Sequence, residues 1–389
     1  MDITITPRSL RGEITIIPSK SQAHRLLICA ALADKPTQLR CADTNRDIDA
    51  TADCLRALGA GITRTDSGYL VDPIATVPES AVLDVCESGS TLRFMLPIVG
   101  ALGVDAVFQM AGRLPQRPLS PMWEEMERMG CTLTHPTADT IRCQGKLKAG
   151  TYSIDGGVSS QFITGLLFAL SLIPGESQLE VTGKIESKPY IDLTKEAMAL
   201  FGAPIYHSPG MVTVEGDWSN GAFFVTAARL GSDLTILGLN NESIQGDRAV
   251  LDITAKLRAG HAEISAADIP DLVPILSVMA AANHGAVFTD IRRLRIKESD
   301  RVASTIAMIE ALGGKAEATE ETLTVYGTGL SGGTVDAMND HRIAMATAIA
   351  ATVCEKPVTI LGAQAVNKSY PRFWEEYRRL GGNYEQYLR

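Results

Sequence analysis

The chain has 389 residues, 45% of them apolar and 21% charged, with a formal net charge of −9 at pH 7. These proportions are those of a soluble globular protein long enough for two domains, each with its own core. The acidic balance excludes a general nucleic-acid binder, which needs a basic face, and no apolar run reaches the about 20 residues of a membrane span.

The opening MDITITPRSL has no basic region followed by an apolar core, so no signal peptide is expected and the protein is read as cytoplasmic. Cys29, Cys41, Cys54, Cys86, Cys131, Cys143 and Cys354 are odd in number and show no CxxC pairing. They are expected as reduced, buried thiols. No His/Cys/Asp ligand cluster stands out, so neither a metal nor a cofactor is expected.

From Pro18 the stretch PSKSQAHRLLICAALA predicts a buried helix whose entrance carries Lys20, Ser21, His24 and Arg25. A helix N-terminus already bears positive partial charge, so cations there ask for an anion. The oddity returns along the chain. ESGSTLRFMLPIVGAL sets Ser88, Gly89, Ser90 and Thr91 before an apolar run with Arg93 in its first turn; SSQFITG opens another helix at Ser159, Ser160 and Gln161. RIKESDR supplies Lys297, Glu298, Ser299, Asp300 and Arg301, and NDHRIAMA supplies Asp340, His341 and Arg342. No GxxxxGK[ST] P-loop occurs. Singly each reads as an ordinary cap or surface pair. Together they read as a pocket of helix starts, Lys and Arg suited to more than one phosphate or carboxylate.

Six phrases share a helix, then Gly, then strand pattern, at Gly59, Gly130, Gly202, Gly260, Gly313 and Gly381. Each Gly is expected at the left-handed position that closes a helix. Strands are expected in GEITIIP from Gly12, SQLEVTG from Ser177 and TLTVYG from Thr322. SSQFITGLLFALSLI and DLVPILSVMAAANHG are apolar on most faces and are expected as buried helices. The whole is an α/β protein assembled from repeated units.

The blocks PSKSQAHR, SGSTLRF, QRPLSPM, VSSQFITGLL, SKPYID, QGD, IPDLVPIL, IKESDR, NDHRIAMA and the Lys of NKSYPRF fall in the order of the 5-enolpyruvylshikimate-3-phosphate synthases, from about Arg11 to Phe373. The sequence resembles this enolpyruvyl transferase family over nearly its whole length. The resemblance implies a two-domain inside-out α/β barrel of the enolpyruvyl transferase and RNA 3'-cyclase kind, with three βαβαββ repeats per domain. Residues 1–17 plus 228–389 would form one domain and 18–227 the other, with the active site in the cleft between them. The family's reaction moves the enolpyruvyl group of phosphoenolpyruvate to the 5-hydroxyl of shikimate 3-phosphate through a tetrahedral intermediate, on the shikimate route to chorismate and the aromatic amino acids. Family members are usually monomeric, and no nucleic acid or membrane is a partner.

By the same resemblance Lys20, Asp271 and Glu298 are the catalytic groups. Lys20, Ser21, Arg25, Ser159, Ser160, Gln161, Ser187, Asp271 and Lys297 would hold shikimate 3-phosphate. Lys20, Gly89, Arg117, Gln161, Arg301, Arg342 and Lys368 would hold phosphoenolpyruvate. Gly89 would leave room for glyphosate, which takes the phosphoenolpyruvate place in this family. Asp271 can also be read as an N-cap and Glu298 as a plain ion-pair partner. Two positions depart from the family pattern: Glu87 stands where Asn is common, and Arg293 where some members have Asn. The alternatives are the sister transferase acting on UDP-N-acetylglucosamine, whose reactive loop Cys or Asp has no Cys counterpart around AGRLPQRPLS, and a non-catalytic phosphate or RNA-end binder.

Overall fold

Most helix starts among the described residues are set by side-chain oxygens. In the computed structural model, which describes residues 1–387, α1 (Lys20–Ala31) begins where Ser19 Oγ accepts from the Gln22 N–H. Asn45 does the same for α2 (Arg46–Ala57), and Ser88 for α3 (Gly89–Leu102). After the short α4 (Met122–Arg128), Ser159 caps α5 (Ser160–Leu172), and α6 (Lys188–Leu200) follows Ser187. Asp217 caps α7 (Trp218–Arg229). Then come α8 (Val250–Ala259) and α9 (Val273–Ala282), α10 (Arg301–Ala311) capped by Asp300, α11 (His341–Ala350) capped by Asp340, and α12 (Phe373–Arg379). Each such cap contributes about 1 kcal/mol. No acidic residue occupies the first turn of α1, α3, α5, α10 or α11.

The chain divides into two units, residues 18–215 and residues 1–17 with 216–389. The second crossing therefore falls between Glu215 and Gly216, not at 227–228. The reason is α7: the Asp217 N–H donates to Ile17 O at 2.8 Å, and Phe224 packs edge-on against Tyr370 with ring centroids 6.1 Å apart. A break at 227–228 would cut that helix from its own core.

Within each unit two sheets share one plan. In residues 18–215, Ser80–Cys86 and Asp105–Met110 run parallel, and Thr140–Gly145 and Cys131–Thr134 continue the sheet antiparallel. The order Met211–Thr213, Thr37–Arg40, Gly68–Asp72, Gly61–Thr65 repeats it. In the other unit Ala262–Ser265, Ala286–Thr289, Thr322–Tyr326 and Lys315–Ala318 follow the same plan. So do Gly333–Asp336, Val358–Leu361, Asp2–Thr6 and Asn383–Tyr387. The third module of each unit is shorter than the expected βαβαββ. Among the described residues it forms only its parallel pair, Thr151–Asp155 with Gln178–Thr182 and Arg11–Thr15 with Asp233–Leu237.

The apolar helices are buried, as their composition requires. Leu27, Phe94, Met95, Leu166 and Phe168 center one core, and Ile275, Leu276, Met279, Ile343 and Met345 the other. All seven cysteines are free thiols, and only Cys86 is not buried. Five of the six phrase glycines have positive φ; Gly260 is extended, at φ 175. Gly202 closes α6, but a turn through the cis Ala203–Pro204 bond follows it rather than a strand. No helix among the described residues is long and apolar enough to cross a membrane.

Helices α3 and α5 touch backbone to backbone. A Cβ at Gly165 would lie 2.1 Å from Arg93 O and 2.8 Å from Pro97 Cγ. The Gly165→Ala variant must push the helices apart, so urea unfolding should show a loss of about 1–3 kcal/mol, the usual range for overpacking. An unchanged midpoint would refute this account of the contact.

Candidate active site

In residues 18–215 the candidate side chains stand at the starts of α1, α3, α5 and α6. Lys20, half-buried, donates from Nζ to Asp47 Oδ2 at 2.9 Å. Arg25 is buried and donates to neutral oxygens: Nη1 to Ser21 O (2.6 Å), Nε to Thr194 Oγ1 (2.8 Å), Nη2 to Tyr190 O (2.8 Å) and to Thr164 Oγ1 (3.3 Å). Its guanidinium also lies 5.1 Å from the center of the Phe94 ring. Burial pushes its pKa down to about 10. A cation this enclosed, with no carboxylate paired to it among the described residues, presents the electrostatic demand that an anionic ligand meets.

Arg93 links α3 to α5. Its Nη1 donates to Gln161 Oε1 at 3.0 Å, while Gln161 Nε2 donates to Ser90 Oγ at 2.9 Å. A Cβ at Gly89 would lie 2.6 Å from Arg117 Nη1 and 2.7 Å from Arg93 Nη1. Gly89 thus allows two guanidiniums to gather at the α3 start, and an added methyl would act on those arginines rather than on open space. Ser160 is buried beside Gln161, and Ser187 is buried in the left-handed region at φ 55. Met338 and Asn339 are left-handed too, just ahead of the α11 cap. Non-glycine residues held there cost about 1–3 kcal/mol each and gather where function fixes the backbone.

In the other unit one guanidinium organizes the site. Arg301 is fully buried. Its Nη1 donates to Asp271 Oδ1 (2.6 Å), its Nη2 to Glu298 Oε2 (2.5 Å) and its Nε to Asp340 Oδ2 (3.1 Å). Arg342 Nη2 donates to Asp271 Oδ2 at 3.0 Å. Asp271 is therefore not the cap of α9; that place is held by Leu272 without a side-chain bond. Burial alone would raise the Asp271 pKa, but Arg342, Lys297 and Arg301 outweigh it and hold the carboxyl well below the usual range. Burial, aided by Arg293 and Arg301 and opposed by Asp271 and Glu298, brings Lys297 down to about 8. Lys368 Nζ donates to Asn339 O at 2.9 Å, one residue before Asp340.

Several groups here were not assigned from the sequence. Asp247, in the quoted QGD, is buried; Ser219 donates to its Oδ2 while Oδ1 has no hydrogen-bond partner among the described residues. Burial and the neighboring Asp271, against Arg342, push it up to about 7. Asp47, Thr164 and Thr194 were also unassigned. Asp47 looks like any acidic first-turn residue, and no local signal marks a threonine that will face an arginine.

Two α/β units of related modules, each with cations and hydroxyls at helix starts and one with buried carboxylates among the cations, define a protein that handles small anions. A family model described as EPSP synthase (3-phosphoshikimate 1-carboxyvinyltransferase) matches residues 5–377. Proteins named 3-phosphoshikimate 1-carboxyvinyltransferase from Clostridium kluyveri and Clostridium novyi are 35% and 36% identical to it. These matches cover 99% and 98% of this chain and 98% of each relative. A solved EPSP synthase from Acinetobacter baumannii shares the fold with a TM-score of 0.81, at 20% identity over 100% of both chains. The chain belongs to the EPSP synthase family.

The Arg301 cluster yields a stability prediction. Replacing Arg301 with Met leaves Asp340 buried without its cation, so chemical denaturation at neutral pH should show a loss of about 3–5 kcal/mol. A loss below about 1 kcal/mol would mean that the pair does not hold the unit together.

Proposed function

We propose that this chain joins the enolpyruvyl group of phosphoenolpyruvate to the 5-hydroxyl of shikimate 3-phosphate and releases phosphate, the transfer its relatives are named for. It thereby serves the shikimate route to chorismate and the aromatic amino acids. Arg25, Ser21, Ser159, Ser160, Gln161, Ser187 and Lys297 hold shikimate 3-phosphate in this reading. Gly89, Arg117, Gln161, Arg301, Arg342 and Lys368 hold phosphoenolpyruvate, and Lys20 touches both. Two polyanions repel, and only a dense set of cations offsets that cost.

The observation that carries the reading is the pairing of Asp271 and Glu298 through Arg301. Addition needs a base at the 5-hydroxyl and an acid at the methylene carbon. The hydroxyl oxygen attacks the enol carbon while the methylene gains a proton; elimination then expels phosphate and removes a proton from the new methyl. Asp271 is the base, Glu298 the acid, and Lys20 a further proton donor. An Asp held as low as Asp271 is a poor base. Binding of phosphoenolpyruvate draws Arg301 and Arg342 onto its phosphate and carboxylate, and Asp271 gains basicity when both substrates are present.

In this reading the protein acts as a cytoplasmic monomer on small-molecule substrates, as the family resemblance implies, and its net charge of −9 supports the absence of a nucleic-acid partner. The sister reaction on UDP-N-acetylglucosamine is separated from it by one assay. Phosphate release from phosphoenolpyruvate should occur with shikimate 3-phosphate and not with the sugar nucleotide; the opposite pattern defeats the proposal. The Glu298→Gln variant should bind shikimate 3-phosphate within threefold of the parent and lose about 10²–10⁴-fold in kcat. Normal turnover would remove Glu298 from its role.

A pH dependence follows from Lys297. Its ammonium is lost as pH rises through about 8, so kcat/KM for shikimate 3-phosphate should fall above that value. The falling limb of kcat should lie higher, because a bound phosphate favors the charged amine. A kcat/KM profile flat from pH 7 to 9.5 would show that the lysine does not bind as a cation.

A further inference from the structure

Glu87 places a carboxylate just ahead of the α3 start, where the proposed reaction needs an anion to bind. The local backbone explains what it does there. The strand Ser80–Cys86 ends irregularly, with a register shift between Asp84 and Cys86; the Cys86 N–H donates to Asp84 Oδ1 at 2.9 Å, and Cys86 is left-handed at φ 50. This bend carries Glu87 away from the strand and into the cap residue Ser88. The neighboring strand Asp105–Met110 leads into the segment that delivers Arg117. The Ala111 N–H donates to Cys86 O at 2.7 Å, Gly112 is left-handed at φ 58, and one 3-10 turn, Leu114–Gln116, precedes Arg117.

The two segments meet at two glycines. A Cβ at Gly112 would lie 2.6 Å from the Glu87 carboxyl carbon and 2.7 Å from its Oε2. The carboxylate therefore lies directly against the Gly112 backbone. At the other end a Cβ at Gly89 would lie 2.6 Å from Arg117 Nη1. Segment 87–89 and segment 112–117 thus form a clasp with one contact at each end, and each contact exists because a side chain is missing. Glu87 is half-buried and Gly112 is exposed, so the clasp sits at the surface.

We propose that Glu87 is a positioning residue for Arg117: its carboxyl group, seated on Gly112, holds the 112–117 turn so that the Arg117 guanidinium stands at the α3 start. The contact this role needs is the seat of the carboxyl group against Gly112. A carboxylate acting instead as a free charge at a helix N-terminus would oppose an incoming anion, and its removal would strengthen binding. The two roles predict opposite signs.

This inference rests on the enolpyruvyl-transfer reading for its kinetic part only. On the full chain, Glu87→Ala should raise KM for phosphoenolpyruvate about tenfold, leaving KM for shikimate 3-phosphate within twofold and kcat within threefold. Glu87→Gln, which keeps the shape, should stay within threefold of the parent throughout. Gly112→Ala, which collides with the carboxyl group, should also raise KM for phosphoenolpyruvate. Combined with Glu87→Ala it should add less than it does alone, since the collision partner is gone. Without any substrate, amide hydrogen exchange across residues 112–117 should be at least threefold faster in Glu87→Ala than in the parent. An unchanged or lower KM in Glu87→Ala, or unchanged exchange, overturns the clasp. If the parent releases no phosphate with these substrates, the reaction assignment fails, and the exchange comparison still decides the clasp.

Discussion

The constraint on which the carboxylate-bearing unit depends is the full burial of one guanidinium. Stripping water from Arg301 costs several kcal/mol, and that cost is offset only when each of its nitrogens faces an acceptor. Here the acceptors are Asp271, Glu298 and Asp340. Asp340 serves twice: one oxygen receives the Arg342 N–H and starts α11, while the other receives Arg301 and the Ser299 hydroxyl. The start of α11, the ion cluster and the seat of Asp271 are therefore one mechanical object. A shift in any of them moves the others.

The unit of residues 18–215 meets a similar demand by other means. Arg25 is buried among hydroxyl and carbonyl oxygens, and the polar groups behind it are linked into a chain. The His24 ring bonds Thr51 at 2.7 Å, Thr51 bonds Thr91 at 2.8 Å, and Thr91 donates to Ser88 Oγ at 2.7 Å. Burial, with Lys20 and Arg25 nearby, holds His24 well below the usual imidazole range, so the chain is uncharged. It ties α1, α2 and the cap of α3 together through neutral groups. One unit thus carries its counter-charges within itself, and the other leaves Arg25 without one among the described residues.

Much of this was legible in the sequence. Cap residues ahead of apolar runs located the starts of α1, α3, α5, α10 and α11, because side-chain capping is a local interaction. The helix-then-Gly phrases were legible for the same reason, with the exceptions explained by turns that local pattern does not specify. What escaped was long-range. The Lys20 to Asp47 pair and the Arg301 to Asp271 pair join residues 27 and 30 positions apart, and no local rule connects them. From the sequence Asp271 also fitted a cap, and the two arginine partners that hold it instead lie 30 and 71 positions away. The shortened third module was hidden as well, since a missing hairpin leaves no mark on the residues that remain.

The strand Asp2–Thr6 lies between Val358–Leu361 and Asn383–Tyr387, and bonds to both. On a ribosome that adds about 5–20 residues per second, this segment leaves the exit tunnel long before either neighbor exists. Both of its edges stay unpaired while the whole intervening unit is translated, and unpaired apolar edges invite association with other nascent chains. Its alternation of Ile3 and Ile5 with Asp2, Thr4 and Thr6 leaves one face polar during that interval. Closure of this sheet is thus a late step of biogenesis, governed by the length of message between the two ends rather than by the strength of the strand itself.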